Sequence, residues 1–259
     1  MVKHLTAIQF TRFMTSGATS PALCSCEDEF DNVAGDYILK LRGFIQQTGS
    51  LRELLGNKLA THFDLPVPEP ALITLEQTLA DLIASSDRSK AGIIKGSVGL
   101  NFGSKEAIGY NTWPVDKSIS DSIWETAVNI FAFDALVQNP DRSYHNPNLL
   151  VSGDNLLIFD HEKAYSFLLD VLPSPSPWLM NRQQYLSNHV FYRQLKSQTI
   201  DLTGFTSLLT GLSDAAIGDI FAEVPTEWNN EDAQKIAQHL GTMRDHAEEF
   251  AEEVRRFLV

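Results

Sequence analysis

Three early stretches read as strands, "LTAIQFT" (residues 5–11), "PALCSCED" (21–28) and "YILKLRGF" (Tyr37–Phe44), the last with apolar and polar positions alternating at a period of two. Side chains of period two line one face of a strand. The small polar segment "MTSGATS" (Met14–Ser20) and the acidic turn "DEFDNVAGD" separate them, so the block predicts an antiparallel sheet. In "SLRELLGNKLATHF" the period changes. Leu51, Leu54, Leu55 and Leu59 fall on one helical face, with Ser50 as a candidate N-cap and Glu53 as its capping-box partner. The prolines of "DLPVPEPALITL" end that helix and return the chain to a strand, and "LEQTLADLIASS" predicts another helix. A glycine-rich mixed stretch, "GIIKGSVGLNFGSKEAIGYNTW", closes the sheet-rich part. Beyond it Ile123, Ala127, Ile130, Phe131, Asp134 and Ala135 keep helical spacing. A loop and a short hairpin follow: "LLV", the turn "SGDN", then "LLIF". After "LPSPSPW" the chain reads as helical, ending in one long helix with Ile236, Leu240, Met243 and Phe250 on its apolar face. The pattern predicts an α+β protein, with an antiparallel sheet over residues 1–110 and a mainly helical part over 111–259.

Composition narrows the function classes. The chain has 259 residues, 43% hydrophobic and 20% charged, which suits a globular fold with a sizeable core. No run approaches the roughly 18 apolar residues of a membrane span. The start, "MVKHLTAIQFTRFMTSG", lacks a secretory apolar core and cleavage site, so a cytoplasmic protein away from membranes is expected. A net charge of −13 disfavours nucleic-acid partners. Cys24 and Cys26, the two cysteines, share a strand face without further ligands for a metal and read as small packing residues.

The stretch "NPDRSYHNPNLLVSGDNLLIFDHE" (Asn139–Glu162) carries the chemistry. Phosphoryl transfer from ATP needs a lysine on the phosphates, a carboxylate and an amide for magnesium, and an aspartate beside the attacking hydroxyl. Asp141 and Asn146 lie five residues apart, the spacing of base and metal asparagine on a kinase catalytic loop. The hairpin that follows returns Asp160 towards the asparagine, and both offer the oxygen donors magnesium prefers. Upstream, Lys40 lies on a strand after a small-residue loop, Ser16, Gly17, Ala18, Thr19 and Ser20, whose backbone N–H groups suit phosphates. Glu53 either pairs with Lys40 or serves only as a capping residue. Around these, Arg142 is expected to pair with an acidic neighbour, His145 to face solvent, His161 to pack behind Asp160, Asn148 to cap the return strand, and the four tryptophans to pack.

With these residues in place, "FDALVQNPDRSYHNPNLLVSGDNLLIFDHEKAYSF" resembles the core of the HipA-like kinases, in their short bacterial form. "GDYILKLRG", "LATHFDLPVPEPALI" and "GLNFGSKEAI" resemble further segments of that family in the same order. The resemblance implies a two-lobed kinase fold related to protein and phosphoinositide kinases. It implies Asp141 as base, Asn146 and Asp160 as magnesium ligands, Lys40 as the nucleotide lysine and Ser16–Ser20 as the phosphate loop. It also implies that Asn101, Phe102 and Gly103 lie near the adenine. It further implies a protein Ser/Thr hydroxyl as acceptor, in a toxin–antitoxin setting with an antitoxin or regulatory partner. Two alternatives stand beside this reading: a kinase of a small molecule or lipid headgroup, and a kinase-like module that binds nucleotide without turnover.

Overall fold

The computed structural model describes residues 1–14, 19–172 and 174–259. They fall into two compact units, Met1–Leu54 with Pro68–Ile108, and Leu55–Val67 with Gly109–Val259. Secondary structure is mixed α and β throughout.

The first unit is built on five strands: β1 (Lys3–Phe13), β2 (Ala22–Glu27), β3 (Val33–Lys40), β4 (Pro70–Leu75) and β5 (Gly99–Lys105). Helices α1 (Arg42–His62), α2 (Gln77–Ser86) and α3 (Ala91–Lys95) are interspersed, the last part of α1 belonging to the second unit. The predicted antiparallel sheet is a closed barrel of order β1-β2-β3-β5-β4. Closure comes from a parallel pairing of β1 with β4, Lys3 opposite Ala71 through Thr6 opposite Thr74. Alternation supplies the interior: Leu5 and Ala7, Ala22, Cys24 and Cys26, Tyr37 and Leu39, then Ala71, Ile73 and Leu75 are all buried in one cluster. A barrel this narrow has room for small side chains, which accounts for the alanines and both cysteines. Burial pushes both thiols up to about 12, so neither is a reactive thiolate.

Two sequence expectations need correction in this unit. The third strand stops at Lys40 rather than running to Phe44, because the Arg42 N–H bonds Asn101 Oδ1 at 2.8 Å and the chain turns into α1 there. Ser50 is not an N-cap; it lies inside α1, past a kink at Gln46, and its hydroxyl donates to the Gln46 carbonyl at 3.2 Å. The apolar period starting at Leu51 marked the regular part of the helix and not its beginning.

The second unit centres on α4 (Trp124–Leu136), in which every residue from Ile130 to Leu136 is buried. Ahead of it lies β6 (Asn111–Thr112), and after it come β7 (Leu149–Ser152) and β8 (Asn155–Ile158), forming an antiparallel sheet of order β6-β7-β8. The expected hairpin is present, and Gly153 at φ 61° supplies the left-handed residue its tight turn requires. The added strand β6 is too short to carry a periodic signal. Short helical turns lie at Ser166–Leu169, Met180–Arg182 and Gln184–Asn188. Then follow α5 (Tyr192–Leu195), α6 (Thr203–Thr210), α7 (Asp214–Ala222), α8 (Glu231–Asp245) and α9 (Ala247–Leu258). The expected long terminal helix is therefore two helices, broken at His246, whose φ of −123° leaves the helical region and whose ring stacks on Trp178 at 3.6 Å. Ile236, Leu240, Met243 and Phe250 are buried as the apolar stripe implies. Among the described residues no helix is long and apolar enough to cross a membrane.

Candidate active site

In the first unit Lys40 and Glu53 meet. Lys40 ends β3 on the face opposite Tyr37 and Leu39, and its ammonium forms a buried ion pair with the Glu53 carboxylate. With Ser50 inside the helix, Glu53 is the lysine's partner and not a cap. Lys58, one turn beyond, instead pairs with Glu223 at 2.5 Å within the second unit. Thr19 and Ser20, half-buried, precede β2, and Ser20 has φ 44°. Ser16, Gly17 and Ala18 of the candidate phosphate loop lie outside the described residues. Phe102 stands opposite Lys40 in the β3–β5 register. The Asn101 side chain is buried and holds the local backbone, accepting from Arg42 N–H and donating to the Ser97 and Gly99 carbonyls at 2.9 and 2.8 Å.

In the second unit the loop between α4 and β7 brings the other candidates together. Asn146 Nδ2 donates to Asp141 Oδ2 at 3.1 Å, and Asn148 Nδ2 donates to the same oxygen at 3.1 Å. Asn148 thus reaches the aspartate from a left-handed backbone (φ 41°) rather than capping the return strand with its side chain. The other oxygen, Oδ1, accepts from Lys163 at 3.1 Å. The hydrogen bond it donates to Asp141 raises the lysine's pKa, burial opposes it, and the negative charges of Asp141, Glu162 and Asp160 add to the rise. The hairpin register pairs Leu149 with Ile158, and Phe159 N–H bonds the Asn148 carbonyl at 3.2 Å. Asp160 follows two residues after the end of β8, in the left-handed region at φ 63°. Its carboxylate oxygen and one of Glu162 lie within 4.8 Å of each other. The buried His161 between them packs edge-on against Phe133 at 6.0 Å. Gly56 permits this: a Cβ there would stand 2.5 Å from His161 Cβ. His145 is exposed and lies against Tyr144.

Behind this surface is a buried network that the sequence reading registered only in part. Asp134, 0% exposed, takes Arg142 Nε on Oδ2 at 2.6 Å, and Arg142 is 1% exposed. The same guanidinium donates through Nη1 to the carbonyls of Asn148 and Phe159. Asn139 donates to Asp134 Oδ1 at 3.0 Å while its own Oδ1 accepts the Asp141 N–H at 3.1 Å. His189 Nδ1 accepts the Phe191 N–H at 3.1 Å, so its proton sits on Nε2 and is donated to Asp134 at 3.0 Å. Burial alone would push the Asp134 carboxyl up, but the Arg142 charge and the His189 hydrogen bond overcome it and hold it at about 2. Burial lowers His189, keeping the ring neutral. One carboxylate at the end of α4 thus fixes the aspartate loop, the strand after Asn148, the strand before Asp160 and the segment at His189. The signal for it was an aspartate on an otherwise apolar helix stripe, since buried carboxylates persist only when paired.

What the arrangement can do follows from its donors. The Asp141 carboxylate is held by two amides and an ammonium, with its side chain partly exposed. Asn146 spends its nitrogen on Asp141, which leaves its oxygen available as a donor, and Asp160 offers a carboxylate just beyond β8. Oxygen donors of this kind fit a hard divalent ion. The HipA-like kinase family matches residues 7–256 of the chain. No curated protein sequence matches it. A solved structure with a similar fold is that of the proinflammatory kinase CtkA of Helicobacter pylori, at 11% identity and a TM-score of 0.58, with 100% of this chain and 99% of that one covered. The family match runs through both units and includes every residue of the network just described, and the chain belongs to the HipA-like kinases.

Proposed function

We propose that this kinase transfers the γ-phosphoryl group of ATP to a Ser or Thr hydroxyl of a protein, with magnesium. The observation that carries the proposal is the anchoring of Asp141 by Asn146, Asn148 and Lys163 at the foot of the hairpin that returns Asp160. A kinase family implies ATP and a divalent metal in general. In the reaction the acceptor oxygen bonds to the γ-phosphorus while the bond from that phosphorus to the β,γ-bridging oxygen breaks. ADP leaves with that oxygen, and Asp141 takes the hydroxyl proton. Asn146 and Asp160 would hold magnesium, which when bound offsets phosphate charge. Lys40, kept extended by Glu53, binds phosphate, and the loop Ser16–Ser20 offers N–H groups. Asn101, whose amide is already engaged, would meet the adenine through its backbone, beside Phe102. The resemblance further supports a toxin held in check by an antitoxin, and an adjacent gene whose product relieves growth arrest would bear that out. The deciding experiment is incubation of the full chain with γ-labelled ATP, magnesium and cell extract. Label on a protein Ser or Thr supports the proposal; label confined to a small molecule or lipid overturns the acceptor, and no label overturns the activity.

Lys40→Met is expected to weaken ATP binding and slow transfer together, because the lysine contacts phosphate in ground and transition states alike. Calorimetric affinity and labelled turnover, read beside the melting temperature, check this; unchanged values for both remove Lys40 from the site. For the metal ligands, ATP with magnesium at 100 times its dissociation constant adds about 2.7 kcal/mol. For a chain of this size that corresponds to a rise in melting temperature of about 5–10 °C. Asp160→Ala is expected to remove most of the magnesium-dependent part. Asp154→Ala, whose carboxylate bonds Ser122 at 2.8 Å in the exposed turn, is expected to keep it. Equal magnesium-dependent shifts in the wild type and Asp160→Ala would exclude Asp160 as a ligand.

A further inference from the structure

Three residues beyond Asp160, the chain leaving β8 lays Lys163 against the candidate base. Lys163 Nζ lies 3.1 Å from Asp141 Oδ1, and the lysine side chain is 56% exposed against 19% for the aspartate. An exposed ion pair of this kind contributes little to stability, so holding the fold is not a sufficient account of it. The loop from Asp141 to Asn146 contains one cation of its own, Arg142, and that guanidinium is buried and turned inward to Asp134. Lys163 therefore supplies, from outside the loop, the solvent-facing positive charge on Asp141. An ammonium carries three N–H donors on a rotatable stem. Asp141 is its one hydrogen-bond partner among the described residues, and with 56% of the side chain exposed its other two N–H donors are available to a ligand.

We infer that Lys163 is a catalytic residue, one that binds the transferring γ-phosphoryl oxygens while keeping an N–H on Asp141. This rests on the proposed reading of Asp141 as base. Negative charge on the γ-phosphoryl oxygens must be met during transfer, and a preorganised cation there acts most strongly at the transition state. The shared ammonium ties the proton acceptor to the group being transferred, so the hydroxyl is deprotonated where the phosphorus is. Bond changes are those of the transfer already given; Lys163 remains protonated throughout.

The test uses the full chain with ATP, magnesium and the extract acceptor. Lys163→Met, Lys163→Arg and Asp141→Asn are compared for kcat, KM for ATP, calorimetric affinity for ADP and melting temperature. Lys163→Met is expected to lower kcat about 10²-fold, the scale for removing one electrostatic donor aimed at developing charge. ADP affinity and melting temperature should stay at wild-type values, because ADP lacks the γ-phosphate and the side chain is exposed. Lys163→Arg should retain more activity than Lys163→Met. Wild-type kcat in Lys163→Met would reduce the pair to a surface contact, and a raised kcat would mean that the ammonium obstructs the acceptor; either overturns the inference. So would a fall in ADP affinity or melting temperature that accounts for the lost rate. If Asp141→Asn is inactive while Lys163→Met is not, this inference alone fails; if Asp141→Asn is fully active, the reading beneath it fails too.

Discussion

Asp141→Asn is expected to lower kcat by about 10²–10⁴-fold, the usual loss with a positioned general base, while ATP affinity is retained. The substitution keeps the shape of the side chain. Its remaining oxygen can still accept from Asn146 and Asn148, which both reach the same oxygen of the native carboxylate. What disappears is the lone pair proposed to accept the hydroxyl proton, together with the ionic partner of Lys163. On the proposed reading Asp141 meets the acceptor and not the nucleotide, so binding of ATP should be spared. Labelled transfer gives kcat and calorimetry gives the ATP affinity; an unchanged kcat would remove Asp141 from the chemistry.

The largest effect on stability is expected from Asp134→Ala. That change strands the Arg142 guanidinium, 1% exposed, without a counter-charge, and leaves His189 and Asn139 without their acceptor. Removing one member of a buried pair costs about 3–5 kcal/mol, a large share of the roughly 5–15 kcal/mol that holds a domain folded. Denaturant unfolding monitored by tryptophan fluorescence checks this, and a loss under about 1 kcal/mol would show that the pair is dispensable. The same carboxylate makes stability pH-dependent. Its folded pKa of about 2 lies below the ordinary aspartate value near 4, so its contribution is complete above pH 4 and is lost as pH falls from there through 2. The shift corresponds to about 2 kcal/mol. His189 acts in the same sense. Its folded value is lowered by burial, so its contribution is complete above the ordinary value near 6.5 and declines as pH falls below it. Acid should therefore loosen the second unit in two steps in the wild type, and the lower step should be missing from Asp134→Ala.

The strands and the hairpin were legible because each buries one face, and a clean period of two leaves no choice of which residues turn inward. In Tyr37–Leu41 the alternation itself puts Tyr37, Leu39 and Leu41 on one face, and all three are buried, whereas in residues 5–11 the adjacent Ala7 and Ile8 left the inward face open. The closure of the barrel could not be read from spacing, since the pairing of Lys3–Thr6 with Ala71–Thr74 joins segments some 70 residues apart and leaves no local mark. The start of α1 was misread because Ser50 and Glu53 have the chemistry of a cap while the actual turn depends on Asn101, far along the chain. In the site, Asp141 and Asn146 stood out because their spacing is dictated by a loop that must double back. Lys163 and His189 did not, because a lysine or histidine becomes part of such a site only through contacts that the fold creates. Asp134 was visible as a position on the helical stripe, but not as the acceptor for three side chains at once.

The parallel seam between β1 and β4 also governs how the chain can be made. As synthesis proceeds from the N-terminus, β1 can form a ribbon with β2 and β3 once residue 40 has emerged, yet its other edge stays unpaired until Pro70–Leu75 follows. The ring is complete only when Gly99–Lys105 joins β3 to β4. For about 65 residues of elongation the nascent chain thus presents an open strand edge, the feature most prone to stray pairing between chains. A chain truncated before Gly99 should remain in that state permanently, aggregating or bound to chaperones, whereas the closed barrel has no edge to offer.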